Sequence, residues 1–429
     1  MQLCLTLDHR FLQTPDKRVW TVTQCPYSFY AEYLEVFEQV RVIARSFPVA
    51  EVNDDFLAVE GPGVEFYPVA SYKGPYQYVA RYQSVRRSVR DAVPEGSAVL
   101  FRVPSQVANS VEKSIRGRGW PYAIEVVADP YDVLSPAANP HPLAPIARYY
   151  LMHSLKARAK RATALSYVTQ SYLQQRYPAR ADRLMAAARG SEIEGSFPGD
   201  GKRQYVVAVS DANLSEECFR TEPRTGLYES GTLRALFIGT LESLYKGPDT
   251  LIRAVALCRG GGVRVEVRFA GSGKQIGKLR ALCGELGVGD RVTFLGNVQA
   301  GGAVRAEIDR ADVFVLPSRA EGVPRAMLEA MARSLPCLGS HTGGIPELLD
   351  EEDRVAPNDA PALAAKLKEL AFDPKRIERM SRRNLRTARM YTRTVLHDRR
   401  RRFLEAVRQR TADYFMAVAK NMIAVQPPA

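Results

Sequence analysis

Two glutamates eight residues apart, and a lysine upstream of them, are the side chains of this sequence best suited to chemistry. Glu321 and Glu329 lie in the stretch ADVFVLPSRAEGVPRAMLEAMA (311–332), and Lys246 lies in LYKGPDT (244–250). Carboxylates accept hydrogen bonds from hydroxyls, and an ammonium pairs with a phosphate. Amides at the start of a helix also bind anions. These residues therefore predict a site for a diphosphate with a hydroxyl-bearing group on either side.

A strand followed directly by a helix must position the two glutamates. The apolar run at 312–316 ends at Pro317, which is typical of a buried parallel strand. Pro324 suits the start of a helix, and the apolar residues after it recur at helical spacing. In open α/β sheets, ligands bind beyond the strand ends, where this loop lies. Two glutamates near a helix start would also stabilise the helix dipole without any ligand, which is the simpler interpretation of the pattern.

Three stretches in order resemble the signature of the family 4 retaining glycosyltransferases (glycosyl transferases group 1), which have the GT-B fold. In chain order they are FIGTLESLYKGPDTLIRAV (237–255), the Glu-x7-Glu stretch (311–332) and HTGGIPELL (341–349), which contains Glu347. The resemblance implies a retaining enzyme that transfers a sugar from a nucleoside diphosphate donor to a hydroxyl acceptor. It also implies that the acceptor attacks from the leaving group's face and that the diphosphate takes the proton. No metal or other cofactor would be needed.

The resemblance implies a role for each candidate residue. Glu329 would accept hydrogen bonds from the ribose and Glu321 from the sugar, and Lys246 would stabilise the departing diphosphate. The loop at 271–277 would lie near the nucleoside, and FLGNV at 294–298 would line the base. The predicted donor-binding residues are Gly239, Thr240, Lys246, Gly271, Val298, Glu321, Gly322, Val323, Arg325, Ala326 and Glu329.

The sequence departs from the family pattern in both predicted domains. Thr240 stands where the family usually has a phosphate-binding arginine, and Arg325 is one candidate to supply that charge. The first strand-helix loop lacks the usual glycine pair, and a later loop lacks the usual histidine. Asp8 and Asp129 lie in those loops, and we take Asp129 as a third catalytic candidate beside the lysine and Glu321, although turn or cap roles would explain both aspartates. A nucleotide-sugar-binding protein with a degenerate catalytic site is the main alternative.

The glycine-rich loop at 271–277 also resembles a dinucleotide fingerprint and raises the alternative of a nicotinamide-dependent oxidoreductase. A lone glycine-rich loop is weak evidence, and no clear acidic residue closes the following strand. The loop does not fit a phosphate-binding P-loop either, because Arg268 and Gln275 stand where that motif needs glycine and Ser or Thr. The glycosyltransferase interpretation is therefore preferred.

Strands that alternate with helical patterns predict an α/β protein with two doubly wound, Rossmann-like domains that face a cleft. A chain of 429 residues is too long for one ordinary core. We assign residues 1–212 to an acceptor domain, 213–230 to a linker, 231–390 to a donor domain and 391–429 to helices that return to the first domain. By resemblance, the return crossing is expected near Tyr391.

The composition favours a reducing compartment. Six cysteines never approach Cys-x-x-Cys spacing and five histidines are scattered singly, which argues against a disulfide framework and a zinc site. No apolar run reaches the roughly 18–20 residues of a membrane span, and the N-terminus lacks the cleavage site of a signal peptide. We therefore predict a cytoplasmic protein.

A net charge of +13 calls for an anionic partner. Basic clusters at 156–161 and 379–402 suit the anionic inner face of a membrane, near which each cation contributes roughly 1 kcal/mol, although a solvated surface is the simpler explanation. No aromatic stacking ladder accompanies them, which argues against nucleic acid. The predicted partners are a nucleoside diphosphate sugar, a glycan or lipid-linked acceptor and, as an open alternative, a membrane surface on which the protein is peripheral.

Overall fold

The structure is a computed structural model that describes residues 1–22, 24–53, 55–135, 144–180, 204–224, 231–259 and 263–424. Its strands form two sheets, one of nine strands in the first half of the chain and one of six strands in the second. The last part of the predicted linker, 225–230, and the C-terminal residues 425–429 lie outside the described residues.

The first sheet is built around β1 and β6, whose central residues are buried on both faces. Its strands are β1 (Gln2–Gln13), β2 (Val19–Thr21), β3 (Gln39–Pro48), β4 (Leu57–Ala58), β5 (Val64–Val69), β6 (Ala98–Val103), β7 (Ala123–Val126), β8 (Ala164–Tyr167) and β9 (Tyr205–Ala208). Seven of them run parallel in the order β5-β3-β1-β6-β7-β8-β9. The other two, β2 and β4, extend the end of β1 as an antiparallel ribbon.

Helices cover both faces of this sheet. They are α1 (Ala31–Leu34), α2 (Gly74–Ala80), α3 (Tyr82–Ser88), α4 (Gln106–Arg116), α5 (Pro130–Val133), α6 (Ala144–Arg161) and α7 (Tyr172–Arg176). Val85, Val107 and Leu155 from α3, α4 and α6 pack on one face. Tyr33 from α1 packs on the other face, so the sheet lies between two apolar cores.

The second sheet is entirely parallel. Its strands are β10 (Thr232–Ile238), β11 (Arg264–Ala270), β12 (Val292–Gly296), β13 (Val313–Leu316), β14 (Cys337–Ser340) and β15 (Arg354–Val355), in the order β12-β11-β10-β13-β14-β15. Its helices are α8 (Pro248–Leu257), α9 (Ile276–Glu285), α10 (Gly302–Arg310), α11 (Arg325–Ala332), α12 (Ile345–Leu348), α13 (Ala360–Phe372) and α14 (Pro374–Arg389). The strand order reverses between β10 and β13, and a ligand crevice forms beyond such a switch point.

One long helix, α15 (Arg393–Ala424), joins the two domains. It begins beside the other interdomain connection, where its Arg393 amide donates to the Leu214 carbonyl oxygen at 2.8 Å. Phe403, Leu404 and Val407 then pack into the core of the first domain. Tyr391, just before the helix, is buried in the core of the second domain. The two parallel sheets and the returning helix have the architecture that the sequence predicts.

Candidate active site

The strand β13 and the helix α11 hold the loop that carries Glu321. All four residues of β13 are buried, since it lies between β10 and β14. Pro324 is the N-cap of α11, one residue before the helix proper, and has an extended backbone. Met327, Leu328 and Met331 fix the helix because their side chains are fully buried in the core.

Lys246 and Glu321 meet across the switch point. Lys246 follows β10, Glu321 follows β13, and Lys246 Nζ lies 2.5 Å from Glu321 Oε1. Ser318 Oγ also donates to that oxygen, at 3.0 Å. Burial by itself would lower the pKa of Lys246, but the Glu321 carboxylate outweighs it and raises the pKa. The site therefore holds a fully charged ammonium whose counter-ion comes from the protein.

Glu329 differs from Glu321 because its carboxylate accepts no hydrogen bond from any residue that the structure describes. Burial raises the pKa of Glu329, while Arg325 and Arg305 pull it downward. A partly buried acceptor with unused oxygens is suited to a ligand that brings hydroxyl donors.

Arg319, which the sequence analysis did not single out, ties the lysine loop to the glutamate loop. Its amide donates to the Tyr245 carbonyl oxygen at 2.6 Å, and its guanidinium donates to the Leu244 carbonyl oxygen. The same guanidinium donates to Asp249 Oδ2 at 2.7 Å and to Asn358 Oδ1. This network fixes the spacing of Lys246 and the loop after β13.

The remaining predicted donor residues follow neighbouring strands at the same sheet edge. Gly239 and Thr240 follow β10, Gly271 follows β11, and Val298 lies two residues beyond β12. A Cβ on Gly271, which has φ of +147°, would lie 1.9 Å from the Gly239 carbonyl oxygen. Only glycine therefore lets these two loops approach so closely.

The first domain faces this edge. A Cβ on Gly322 would lie 3.5 Å from the Val127 carbonyl oxygen, beyond the end of β7. Glu347 links the two domains, because its carboxylate accepts from the amides of Gln170, Ser171 and Tyr172 at 2.6, 2.9 and 2.7 Å. Glu347 thus satisfies the free amides at the start of α7 in the other domain.

Asp129 does not have the open carboxylate expected of a group at a reaction centre. It caps α5 by accepting from the Tyr131 amide at 2.8 Å, and it pairs with Arg176 Nε at 2.7 Å. The Tyr177 hydroxyl also donates to it, and only 1% of the side chain is exposed. The structure favours the cap role over the catalytic role, because neighbouring side chains already occupy the carboxylate.

Asp8 is engaged in the same way. It pairs with Arg45 Nη2 at 2.5 Å and accepts from the Gln106 amide at 2.7 Å. Asp8 lies within β1, where the pairing with β3 shifts register, and not in a loop as predicted. A third acid in this region is Asp132, which is half-buried and accepts from the Tyr172 hydroxyl at 2.7 Å. Burial raises the pKa of Asp132.

Arg325 has the exposure needed of a second phosphate-binding charge. It lines a cavity of about 500 Å³ between the domains, together with Arg102, Arg393 and Arg400. Arg102 and Arg400 are paired with Asp211 and with other acids. Within the described part of the chain, Arg325 has no ion pair with a carboxylate, so its charge is available to a ligand.

The basic clusters predicted to face a membrane are largely engaged within the protein. In the cluster Lys156, Arg158, Lys160 and Arg161, the Arg158 guanidinium is 3% exposed and lies 2.7 Å from Glu112 Oε2. Arg161 contacts the same carboxylate at 2.7 Å. Burial would raise the pKa of Glu112, but the two arginines lower it to about 2. The prediction of a membrane surface is therefore wrong for Arg158.

The second cluster is similar, since Arg382, Arg383 and Arg400 pair with Glu378, Asp353 and Glu32. Over the residues that the structure describes, no helix has the length and apolar character needed to cross a membrane. In the same residues, no three His, Cys, Asp or Glu side chains are grouped so that they could hold a metal ion.

Two facing sheets of mainly parallel strands and a returning C-terminal helix define the GT-B fold, and a lysine–glutamate pair lies at the switch point of its second sheet. The sucrose-phosphate synthase of Thermosynechococcus elongatus has a similar fold, with a TM-score of 0.63 and 14% identity over 98% of this chain and 100% of that one. Anabaena HepE, solved in complex with UDP and glucose, has a TM-score of 0.57 and 13% identity over 97% of this chain and 99% of its own. Residues 232–373, within the second domain, match the family model "Glycosyl transferases group 1".

Two relatives are named for bacterial polysaccharide synthesis, and a third matches a larger part of this chain. The putative colanic acid biosynthesis glycosyltransferase WcaL of Escherichia coli is 36% identical over 38% of this chain and 41% of its own length. The amylovoran biosynthesis glycosyltransferase AmsK of Erwinia amylovora is 31% identical over 38% of this chain and 42% of its own. Protein CapJ of Staphylococcus aureus is 22% identical over 78% of this chain and 77% of its own.

Proposed function

We propose that this glycosyltransferase is a retaining, metal-independent enzyme that uses a nucleoside diphosphate sugar. Its acceptor would be a hydroxyl of a growing surface polysaccharide or of a lipid-linked saccharide, at the cytoplasmic face of a membrane. The observation that carries the proposal is the pair of Lys246 and Glu321, 2.5 Å apart, at the switch point of the second sheet. The UDP complex of HepE and the names of WcaL and AmsK support the donor and acceptor classes.

Donor binding would exchange the partners of this pair. The diphosphate would take the Lys246 ammonium, and the Glu321 carboxylate would become free to accept from hydroxyls of the sugar. Glu329 would accept from the ribose with oxygens that have no protein donor in the described structure. Amides of Gly322, Val323, Arg325 and Ala326 would add donors to the diphosphate at the start of α11.

In the transfer step, the bond between the anomeric carbon and the diphosphate oxygen breaks, and a bond from the acceptor oxygen to the same carbon forms. The acceptor would enter from the leaving group's face, so that configuration is retained. The departing diphosphate oxygen takes the acceptor's proton, and Lys246 stabilises its negative charge. A separate protein base is unnecessary, which is consistent with the internal engagement of Asp129.

Closure of the cleft would favour transfer over hydrolysis. The Glu347 carboxylate accepts from amides at the start of α7 and so links the two domains. The Gly344 amide donates to the Gly322 carbonyl oxygen at 2.8 Å, which places this link beside the Glu321 loop. Exclusion of water protects an activated sugar until an acceptor arrives.

The test is a screen of uridine, guanosine and adenosine diphosphate sugars for thermal stabilisation and for release of free sugar. A donor should raise the melting temperature because it binds only the native state, and slow sugar release should follow. Lys246→Ala should abolish the release, and Lys278→Ala, which removes an exposed lysine on α9, should not.

The alternative function, a nucleotide-sugar-binding protein with a degenerate site, is motivated by Thr240 in place of the usual arginine. It predicts thermal stabilisation without any release of sugar, with or without acceptors. Slow sugar release that depends on Lys246 would exclude it.

A further inference from the structure

The cavity that Arg325 lines between the domains, with a volume of about 500 Å³, contains a second cation, Arg393. Arg393 is the first residue of α15, and its side chain is exposed. In the described ranges of the chain, its guanidinium forms no ion pair with a carboxylate. Its backbone amide donates to the Leu214 carbonyl oxygen, which fixes the start of α15 beside the interdomain connection. The guanidinium is therefore available to a ligand, on a backbone that is held in place.

Two of the four arginines in the cavity wall are engaged within the protein. Arg102 and Arg400 each contact Asp211 and one further carboxylate of the first domain. The donor diphosphate would occupy a third, Arg325. Arg393 is therefore the arginine of the wall that remains for a second negative charge.

Three neutral polar side chains also line the cavity: Gln24, Ser28 and Asn213. None of these side chains has a hydrogen-bond partner in the part of the protein that the structure describes. Amide and hydroxyl groups both donate and accept hydrogen bonds, as the hydroxyls of a sugar do. Pro26 and Phe29 add apolar surface against which the C–H groups of a sugar ring can pack. The wall therefore suits a saccharide that also carries a negative charge.

We propose that this cavity binds the acceptor saccharide through a sugar that carries a carboxylate or a phosphate, and that Arg393 recognises this negative charge. The proposal rests on the proposed function, and it narrows the acceptor from any hydroxyl-bearing glycan to an acidic one. Arg325 in the cavity wall begins α11, the helix that follows the Glu321 loop. An acidic sugar bound in the cavity therefore lies beside the donor site.

The charge of Arg393 makes the cavity selective. A neutral sugar would displace water from the guanidinium without supplying a counter-charge, and the loss of hydration at a charged group costs free energy. A carboxylate or a phosphate replaces that water with two parallel, charge-assisted hydrogen bonds. An acidic sugar should consequently bind more tightly than its neutral analogue.

The experiment titrates the full chain with glucuronate, glucose 6-phosphate and glucose, and follows binding by saturation-transfer NMR of the sugars. Wild type should bind at least one of the two acidic sugars about tenfold more tightly than glucose. Arg393→Gln should lower that affinity to the affinity for glucose and leave glucose binding unchanged. The control Arg408→Gln removes the same charge from an exposed position about four turns further along α15, and it should bind all three sugars like wild type. A preference for glucuronate or for glucose 6-phosphate identifies the acceptor's charge as a carboxylate or a phosphate.

Equal affinity of wild type for the acidic sugars and glucose, or binding of none of them, would overturn the proposal. So would equal losses in the two variants, which would show that net charge alone causes binding. Displacement of the acidic sugar by uridine, guanosine or adenosine diphosphate would assign the cavity to the donor site and also overturn it.

Release of free sugar from the donor, measured without any acceptor, separates this proposal from the proposed function. Arg393→Gln should release sugar at the rate of wild type, because Lys246 and the helix amides are unchanged. A wild type that binds the acidic sugar selectively but releases no sugar from any donor would contradict the proposed function and keep the cavity as a site for acidic saccharides.

Discussion

Acids lie near the carboxyl edges of both sheets, but they differ in what they contact. At the edge of the first sheet, Asp8 and Asp129 are held by Arg45 and by Arg176 and Tyr177, and Asp129 is almost completely buried. At the edge of the second sheet, Glu329 has no hydrogen-bond donor among the described residues. Glu321 is paired with Lys246, and a diphosphate could replace Glu321 as the counter-ion of that lysine. An acid near the edge of a sheet is therefore a candidate for ligand binding only when its carboxylate oxygens are not already paired with neighbouring side chains or amides.

The largest expected effect tests the second edge. Lys246→Ala should lower the rate of sugar transfer about 10²–10³-fold, because the charge that stabilises the leaving diphosphate is lost. Steady-state assays with a donor identified by thermal shift measure the effect, and a circular dichroism spectrum checks the fold. Lys246→Arg should recover part of the rate. A loss of less than about tenfold in the alanine variant would contradict the assigned role.

At the first edge, the expected effect is on stability. Asp129→Asn should lower the free energy of unfolding by about 2–3 kcal/mol, less than for a fully buried ion pair because Arg176 is 33% exposed. Urea denaturation measures it. The folded variant should keep a transfer rate within about threefold of wild type. A variant with normal stability and a hundredfold lower rate would show that Asp129 acts in the reaction. The two sheet edges would then not differ in function as argued above.

Glu329→Gln should weaken binding of the nucleoside diphosphate about tenfold, because the ribose loses a charged acceptor. Isothermal titration measures this change, with Glu285→Gln on the exposed side of α9 as the matched control. Unchanged affinity would remove Glu329 from the ribose role.

The same variant should also be slightly more stable than wild type at neutral pH when no ligand is bound. Burial raises the pKa of Glu329, so the fold favours the protonated acid. The stability that protonation provides is fully present below the unfolded pKa and is lost as the pH rises through the folded pKa. Glutamine imitates the protonated acid at every pH, so its advantage should vanish in acid, where wild type is protonated too. Melting temperatures between pH 4 and pH 8 test the sign, within roughly 1–3 °C.

The smallest expected effect concerns Arg325. Arg325→Ala should weaken diphosphate binding only about threefold to tenfold, since Lys246 and the helix amides remain. Uridine, which lacks phosphate, should bind equally well to the variant and to wild type. If uridine binding falls as much as diphosphate binding, Arg325 acts through the shape of the site and not through its charge.

The strand, loop and helix that carry Glu321 could be predicted from the sequence because their signals are local. The apolar run of β13, the helical spacing in α11 and the residues between them are contiguous, so one stretch specifies strand, loop and helix together. The sequence placed the loop at Gly271 near the nucleoside, but it did not reveal that glycine there allows a close approach to the loop at Gly239. The two-domain fold follows from the alternation of strands and helices, and the structure and its relatives confirm it.

Other features depend on partners far away in the chain. In the sequence, Arg158 belongs to a basic cluster typical of a surface. In the structure it is buried, because it pairs with Glu112 on another helix. In the sequence, Arg319 is an ordinary loop arginine. In the structure its guanidinium donates hydrogen bonds to Leu244, Asp249 and Asn358. The cap role of Asp129 depends on Tyr177 and Arg176, which follow a different strand. Hydrogen-bond saturation of this kind is a property of tertiary structure, and no local pattern reveals it.

The contact of Glu347 with the three amides of Gln170, Ser171 and Tyr172 has a kinetic consequence. These amides belong to one domain and their acceptor to the other, so any separation of the domains exposes all three at once to solvent. Their hydrogen–deuterium exchange should therefore be synchronous, and its rate should report how often the cleft opens. A donor that holds the domains together should slow the three exchange rates by the same factor, which makes this short segment a natural gauge of the enzyme's opening cycle.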